Sequence, residues 1–241
     1  MTMTPRDITF PAGDGHPMRA AYAAPEDGKP HAGVVVIHEI FGLNDDIRRI
    51  TGRLAALGYA ALAPDLYDGT SVKPICVART VATLYRGEGE AFRDLAAART
   101  FLSQQPGVDA ARIGMIGFCL GGGFAMLCAV RSKMSAAANF YGEVPKTVEQ
   151  LRGVCPILGG FGANDKMFAA QGQRLERLLT ELGVDHDVKI YDDAGHSFMS
   201  HHDGVMATIG AMLPMKAGYN DAAAEDSWKR IEAFFGKHLG S

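Results

Sequence analysis

The segment that most limits the possible folds is residues 117–122, with the sequence G-F-C-L-G-G. It follows an apolar run at 112–117, typical of a strand, and leads into an apolar stretch at 121–129 that is typical of a helix. Small residues two positions before and after Cys119 let a strand and a helix approach closely across a sharp turn. Such a turn projects its central side chain, and the helix N-terminus favours a thiolate there. The segment therefore predicts an α/β fold with Cys119 as a nucleophile.

The rest of the chain alternates strand and helix patterns, which predicts a mostly parallel central sheet with helices on both faces. Predicted strands cover residues 8–10, 18–23, 33–38, 59–63, 112–117, 136–141, 156–161 and 186–191. Predicted helices cover residues 46–57, 90–104, 121–129, 171–182 and 223–238. The stretch 71–87 is either helical or irregular. No linker divides the chain, so residues 1–241 are expected to form a single domain.

Composition excludes several classes of partner. The 241 residues are 47% hydrophobic and 21% charged, with a net charge of −3, so no basic surface for nucleic acid is expected. No signal peptide or membrane-spanning segment is predicted. The four cysteines form no C-x-x-C pair, which favours free thiols and a cytoplasmic location. A monomer or a small homo-oligomer is expected.

A cysteine nucleophile needs a base and a carboxylate that orients the base. In this type of fold the chain order is nucleophile, acid, then histidine, and Asp165 and His196 both follow predicted strands. Asp165 alone could simply be a turn or capping residue, and His196 could be a surface histidine. Asp192 and Asp193 are rival acids, but they lie too close to His196 along the chain. We therefore predict a Cys119–His196–Asp165 triad.

Two further polar segments allow more than one interpretation. His201, His202 and Asp203 could suggest a metal site, but their spacing matches no strong ligand pattern, and a solvated loop is the preferred interpretation. No metal is therefore expected, and a cysteine–histidine–aspartate triad needs no organic cofactor. Residues 205–218 could be a lid over the site or ordinary amphipathic packing, and the sequence favours neither.

Several segments together resemble the dienelactone hydrolases, or carboxymethylenebutenolidases. The resemblance rests on residues 38–42 (H-E-I-F-G), 63–67 (A-P-D-L-Y), 117–122 (G-F-C-L-G-G), Asp165 and 194–198 (A-G-H-S-F). It implies an α/β-hydrolase fold and hydrolysis of a small ester or a dienelactone-type enol lactone.

The resemblance also implies roles for individual residues. Glu39 would contact the resting thiol and move when substrate binds. The backbone N–H of Ile40 would join that of Leu120 in an oxyanion hole, the Leu120 donor being expected from the helix N-terminus alone. Ser197 and Phe198 would belong to the substrate site.

One part of the family pattern is missing. Family members that bind a carboxylated dienelactone use two arginines, one of them shortly after the H-S-F segment, where this chain has none. The other falls in a segment that contains both Arg79 and Arg86, and the sequence does not choose between them. This departure affects the substrate more than the reaction.

The sequence is also compatible with two alternative functions. The first is a general short-chain carboxylesterase, which would differ only in its pocket. The second is a non-catalytic relative that binds a small ligand or senses oxidants through an accessible Cys119. The order of the predicted triad argues against the second, because a sensor needs neither His196 nor Asp165.

Overall fold

The fold is built on one eight-stranded sheet in a computed structural model, which describes residues 2–68, 73–202 and 212–240. The strands are β1 (Arg6–Pro11), β2 (Pro17–Ala23), β3 (His31–Ile37), β4 (Ala60–Pro64), β5 (Val108–Phe118), β6 (Ala136–Phe140), β7 (Ile157–Gly162) and β8 (His186–Tyr191). Their order is β1-β2-β4-β3-β5-β6-β7-β8. The β1–β2 and β2–β4 pairs are antiparallel, and all other pairs are parallel. The predicted mostly parallel sheet is confirmed.

Helices cover both faces of this sheet. In the described residues they are α1 (Asp45–Ala56), α2 (Lys73–Arg86), α3 (Glu90–Ser103), α4 (Leu120–Arg131), α5 (Ala169–Leu182) and α6 (Asp221–Leu239), with a short 3-10 turn at Glu149–Leu151. Apolar side chains of α1 and α6 share one core cluster, whereas those of α3 and α4 share another. The fold is that of the α/β-hydrolases.

The strands of the sheet are buried because helices lie on both sides. In β3 all six residues after the first are buried, as expected for a strand with two covered faces. Strand β5 is longer than the predicted segment 112–117, because the chain already pairs with β3 from Val108. The stretch 71–87, for which the sequence allowed either a helix or irregular structure, is helical over residues 73–86.

The chain reverses direction across the sheet between β3 and β5. From β3 it moves to β4 on one side, and it then returns to place β5 on the other side. Open α/β sheets bind ligands at such a switch point, beyond the carboxyl ends of the strands. The topology therefore predicts a ligand-binding site at the loops after β3 and β5. In the described part of the chain, no helix has the length and apolar character needed to cross a membrane.

Candidate active site

The predicted triad residues and Glu39 all lie just beyond the carboxyl ends of parallel strands. Glu39 follows β3 and Cys119 follows β5, so these two flank the switch point. Asp165 follows β7 and His196 follows β8. Because these strands are parallel, the four side chains are brought to one edge of the sheet from positions far apart in the sequence.

Cys119 occupies the sharp turn that the sequence predicts. Its φ of 52° and ψ of −116° place it outside the regions that ordinary residues prefer. A Cβ at Gly117 would overlap the Gly121 carbonyl, and a Cβ at Gly121 would overlap the Ile37 carbonyl. The glycines are thus required by backbone contacts, and they hold a half-buried thiol at the first turn of α4. Strain of this kind is typical of functional sites.

We expect Gly121→Ala to destabilise the protein by about 3 kcal/mol or more, because its new Cβ would strike the carbonyl oxygens of Ile37 and His38. The matched control is Gly236→Ala in helix α6, where nothing lies within 4 Å of a new Cβ. That control should raise stability by about 0.5–1 kcal/mol through its better helix propensity. Urea unfolding of both variants checks this prediction, and equal stabilities would contradict it.

Asp165 and His196 form a buried pair. The Nδ1 atom of His196 lies 2.6 Å from Oδ2 of Asp165, and the two side chains are 3% and 1% exposed. The other oxygen of Asp165 accepts hydrogen bonds from the backbone N–H groups of Met167 and Phe168. Asp165 therefore acts both as a turn-forming residue and as the partner of a histidine. The rival acids Asp192 and Asp193 are exposed.

The environment of His196 favours its protonated form. Burial by itself lowers the pKa of this imidazole, but the hydrogen bond to Asp165 and the interaction with Cys119 outweigh burial and raise the pKa to about 10. Among the described residues, no group with hydrogen-bond geometry pairs with the buried Nε2 atom. The Nδ1 atom faces Asp165, so Nε2 is the ring nitrogen left to exchange a proton with Cys119 or a substrate.

Glu39 is a buried carboxylate with two polar partners. The Ser197 hydroxyl donates a 2.8 Å hydrogen bond to Oε1, and Nε2 of His202 lies 2.9 Å from Oε2. Burial alone would raise the pKa of Glu39, but the His202 and Ser197 contacts hold it below its usual value. The Glu39 carboxylate is therefore ionised, and the two contacts hold it in place. Ser197 itself is buried and takes a positive φ of 56°.

The expectation of a solvated loop at residues 201–203 is wrong for His202. Its side chain is only 13% exposed, and its ring packs edge-on against Phe41 with centroids 4.9 Å apart. The Glu39 carboxylate raises the pKa of His202. Asp203 lies outside the described residues. In the described ranges, no group of three or more His, Cys, Asp or Glu side chains could hold a metal ion.

A buried histidine fixes the loop that carries Ile40. The Nε2 atom of His38 accepts a 3.1 Å hydrogen bond from the backbone N–H of Leu66, so Nδ1 carries the proton and donates to the Glu39 carbonyl. Burial lowers the pKa of His38, which keeps the ring neutral. The ring thus ties the loop after β3 to the turn after β4. No sequence pattern indicates this role, although His38 is the first residue of the H-E-I-F-G segment.

The other residues that are predicted to bind substrate differ in their burial and contacts. Phe198 is fully buried and packs against the rings of Tyr141 and Tyr191, so its contacts hold the loop rather than offer a surface to substrate. Arg79 is exposed, and its Nη1 atom lies 3.3 Å from Oε2 of Glu90. Arg86 is exposed and lines a groove of about 420 Å³ beside α4. A substrate role for either arginine stays a prediction.

The segment 205–218 is only partly described, because residues 203–211 lie outside the described ranges. Its last residues pack on the histidine loop. The backbone N–H of His196 donates to Met215 O, and the N–H of Gly218 donates to His196 O. A Cβ at Gly195 would overlap the Lys216 carbonyl. These contacts position His196. For residues 205–211, the lid interpretation lies outside the described residues.

Comparisons with known proteins agree with this arrangement. The family model described as the dienelactone hydrolase family matches residues 18–239. A protein of Saccharolobus solfataricus, which its name assigns provisionally as a carboxymethylenebutenolidase, is 32% identical over 260 aligned positions. The alignment covers 92% of this chain and 94% of that protein.

Solved structures show the same fold over the whole chain. The crystal structure of P91 from metagenomic libraries, described as a dienelactone hydrolase-like promiscuous phosphotriesterase, has a TM-score of 0.83 and 27% identity and covers all of both chains. The acylaminoacyl peptidase of Pyrococcus horikoshii has a TM-score of 0.70 and 17% identity, and the match covers all of this chain and 42% of the peptidase. At 17% identity, the similarity to the peptidase concerns the fold alone.

Proposed function

This chain belongs to the dienelactone hydrolase family, and we propose that it hydrolyses a small ester or enol lactone with Cys119 as nucleophile, His196 as base and Asp165 as orienting acid. The observation that carries the proposal is the buried 2.6 Å contact between His196 and Asp165, at the same ends of the parallel strands as the Cys119 turn. A cysteine suits activated esters and enol lactones, since a thiolate is itself a good leaving group.

The first half of the reaction forms a thioester. The Sγ atom of Cys119 attacks the substrate carbonyl carbon, and the carbonyl oxygen becomes an oxyanion. The backbone N–H groups of Ile40 and Leu120 stabilise that oxyanion, each by about 3 kcal/mol. The bond to the leaving oxygen then breaks, and His196 gives its Nε2 proton to the departing enolate or alkoxide.

The second half regenerates the enzyme. His196 takes a proton from water through Nε2, and the resulting hydroxide attacks the thioester carbonyl. The carbon–sulfur bond breaks, the carboxylic acid product leaves, and Cys119 returns as the thiolate beside protonated His196. Asp165 holds the ring through Nδ1 and compensates its positive charge in both halves.

Glu39 has an electrostatic role in this proposal. A free carboxylate beside the thiol would favour the neutral thiol, because two negative charges repel. The Ser197 hydroxyl and the His202 imidazole compensate the Glu39 charge instead. We infer that the contacts with Ser197 and His202 lower the repulsion between Glu39 and Cys119, so that the thiol can ionise. If Glu39 moves when substrate binds, both contacts must break.

The test compares a dienelactone with p-nitrophenyl acetate, each at several concentrations, with the wild-type protein. Turnover of the dienelactone with the higher kcat/KM supports the proposal. Turnover of the simple ester alone would make the protein a general short-chain carboxylesterase. Turnover of neither would favour the non-catalytic ligand-binding or thiol-sensing alternative, which oxidation of Cys119 by peroxide would then address.

The location and assembly of the protein stay predictions. A cytoplasmic location is proposed because all four cysteines are free. A monomer or a small homo-oligomer that acts on a small molecule is also proposed. The net charge of −3 argues against a nucleic acid partner.

A further inference from the structure

One buried hydroxyl near the proposed nucleophile has no partner. The Tyr67 side chain is 7% exposed, and among the described residues nothing forms a hydrogen bond with its hydroxyl oxygen. A buried hydroxyl left unpaired is unfavourable, and native structures contain few of them. An unpaired buried donor beside a reaction centre is a group that a substrate could satisfy.

The Tyr67 ring is held firmly in place. It lies against the His38 ring with centroids 4.8 Å apart, and a Cβ at Gly42 would come within 3.0 Å of its Cδ2 atom. The backbone N–H of Tyr67 donates to Oδ1 of Asp65, which fixes the turn after β4. The hydroxyl therefore cannot swing away to find another partner without disturbing the loop that carries Ile40.

Burial keeps the Tyr67 hydroxyl protonated. It raises the pKa of this phenol most strongly, and the electrostatic interactions with Cys119, Asp65 and Cys76 raise the pKa further. The hydroxyl is thus a hydrogen-bond donor across the working pH range. The Tyr67 ring packs on the loop after β3, and β3 is the sheet neighbour of β5, the strand that ends at the Cys119 turn.

Tyr67 and His196 lie on opposite sides of Cys119. Tyr67 follows β4, whereas His196 follows β8, and β5 lies between these strands in the sheet. In the proposed reaction His196 must face the leaving oxygen, because it donates the proton to that atom. The acyl part of the substrate would therefore lie on the other side of Cys119, which is the side of Tyr67.

We propose that the Tyr67 hydroxyl donates a hydrogen bond to an acceptor oxygen on the acyl part of the substrate and so selects oxygen-bearing acyl groups over alkyl groups. The inference deepens the proposed function and rests on Cys119 as nucleophile. It concerns specificity, because a site with an unpaired buried donor penalises a substrate that leaves the donor unpaired.

The test uses two esters of the same shape, p-nitrophenyl methoxyacetate and p-nitrophenyl butyrate, which differ by an oxygen in place of a methylene. We expect Tyr67→Phe to lower the ratio of their kcat/KM values about tenfold, through loss on the methoxyacetate. The intrinsic reactivities of the two esters cancel when variants are compared. The matched control is Tyr59→Phe, a buried tyrosine just before β4 at the opposite end of that strand, and it should leave the ratio unchanged.

Urea unfolding separates specificity from folding. Tyr67→Phe should unfold at the same urea concentration as the wild type or a higher one, because it removes a hydroxyl with no partner. An unchanged ratio, or an equal loss on both esters, overturns the inference while the proposed function stands, provided that Cys119→Ala is inactive on both. Activity of Cys119→Ala, or no hydrolysis of either ester by the wild type, overturns the proposed function and this inference with it.

Discussion

Cys119→Ala is expected to lower kcat/KM for ester hydrolysis by about 10⁴-fold or more, because removal of the nucleophile leaves only binding and oxyanion stabilisation. The fold should persist. The thiol is only partly buried, and alanine adds no atom to the turn, so the free energy of unfolding should change by about 1 kcal/mol or less. Kinetics with p-nitrophenyl acetate and urea unfolding of the same preparation measure both effects.

Cys155→Ala is the matched control, since Cys155 is also a partly buried free thiol. Burial raises the pKa of the Cys155 thiol to about 12, so it is not a nucleophile near neutral pH. Its replacement should leave kcat/KM within about twofold of the wild-type value, as for a substitution remote from the chemistry. Mass spectrometry after a brief mixing with substrate should find the acyl group on Cys119. A folded and active Cys119→Ala protein would show that another group attacks the substrate.

The fold could be predicted because its signals are local. The glycines around Cys119 report a close approach between strand and helix, and the structure contains that approach as overlapping Cβ positions at Gly117 and Gly121. The order of nucleophile, acid and histidine then selects Asp165 and His196, because each follows its own strand. Strand patterns and turn residues are visible in short windows of sequence, and they are sufficient to predict the fold of this chain.

The contacts of Glu39 and His202 could not be predicted in the same way. The pair is 163 positions apart, and a polar H-H-D segment is more often solvated than buried. Burial of His202 depends on where the chain passes after His196 and on Phe41, which covers the imidazole. Such packing is a property of the assembled loops, and no periodicity in the sequence encodes it.

The arginines and Tyr67 illustrate a second limit. Residues 71–87 show no clear period, so the sequence alone did not establish a helix or say which side chains face the site. Tyr67 lies in the A-P-D-L-Y segment that supports the resemblance, yet its chemical interest depends on a hydroxyl that stays unpaired after folding. Absence of a partner is visible only once the neighbours are in place.

Asp165→Asn is expected to reduce kcat/KM by about 10³- to 10⁴-fold while keeping the local turn. The asparagine carbonyl can still accept the bonds from the N–H groups of Met167 and Phe168. Its amide NH₂ would then face Nδ1 of His196, which must become an acceptor and leave the proton of the neutral ring on Nε2. That tautomer cannot take a proton from Cys119 or water. Asp192→Asn, which changes an exposed carboxylate near His196 in the sequence, is the control.

The same variant should change how stability depends on pH. The folded-state pKa of His196 is raised above its unfolded value by Asp165 and Cys119, so the stabilisation that it provides is complete below about pH 6.5 and is lost as pH rises through about 10. Asp165→Asn removes the main stabilising partner and should lower the pKa of His196. The difference in unfolding free energy between wild type and variant should therefore be largest near pH 6 and shrink towards pH 10. Urea unfolding across this range tests the sign, and a difference that stays constant or grows with pH would contradict a raised pKa of His196 in the folded protein.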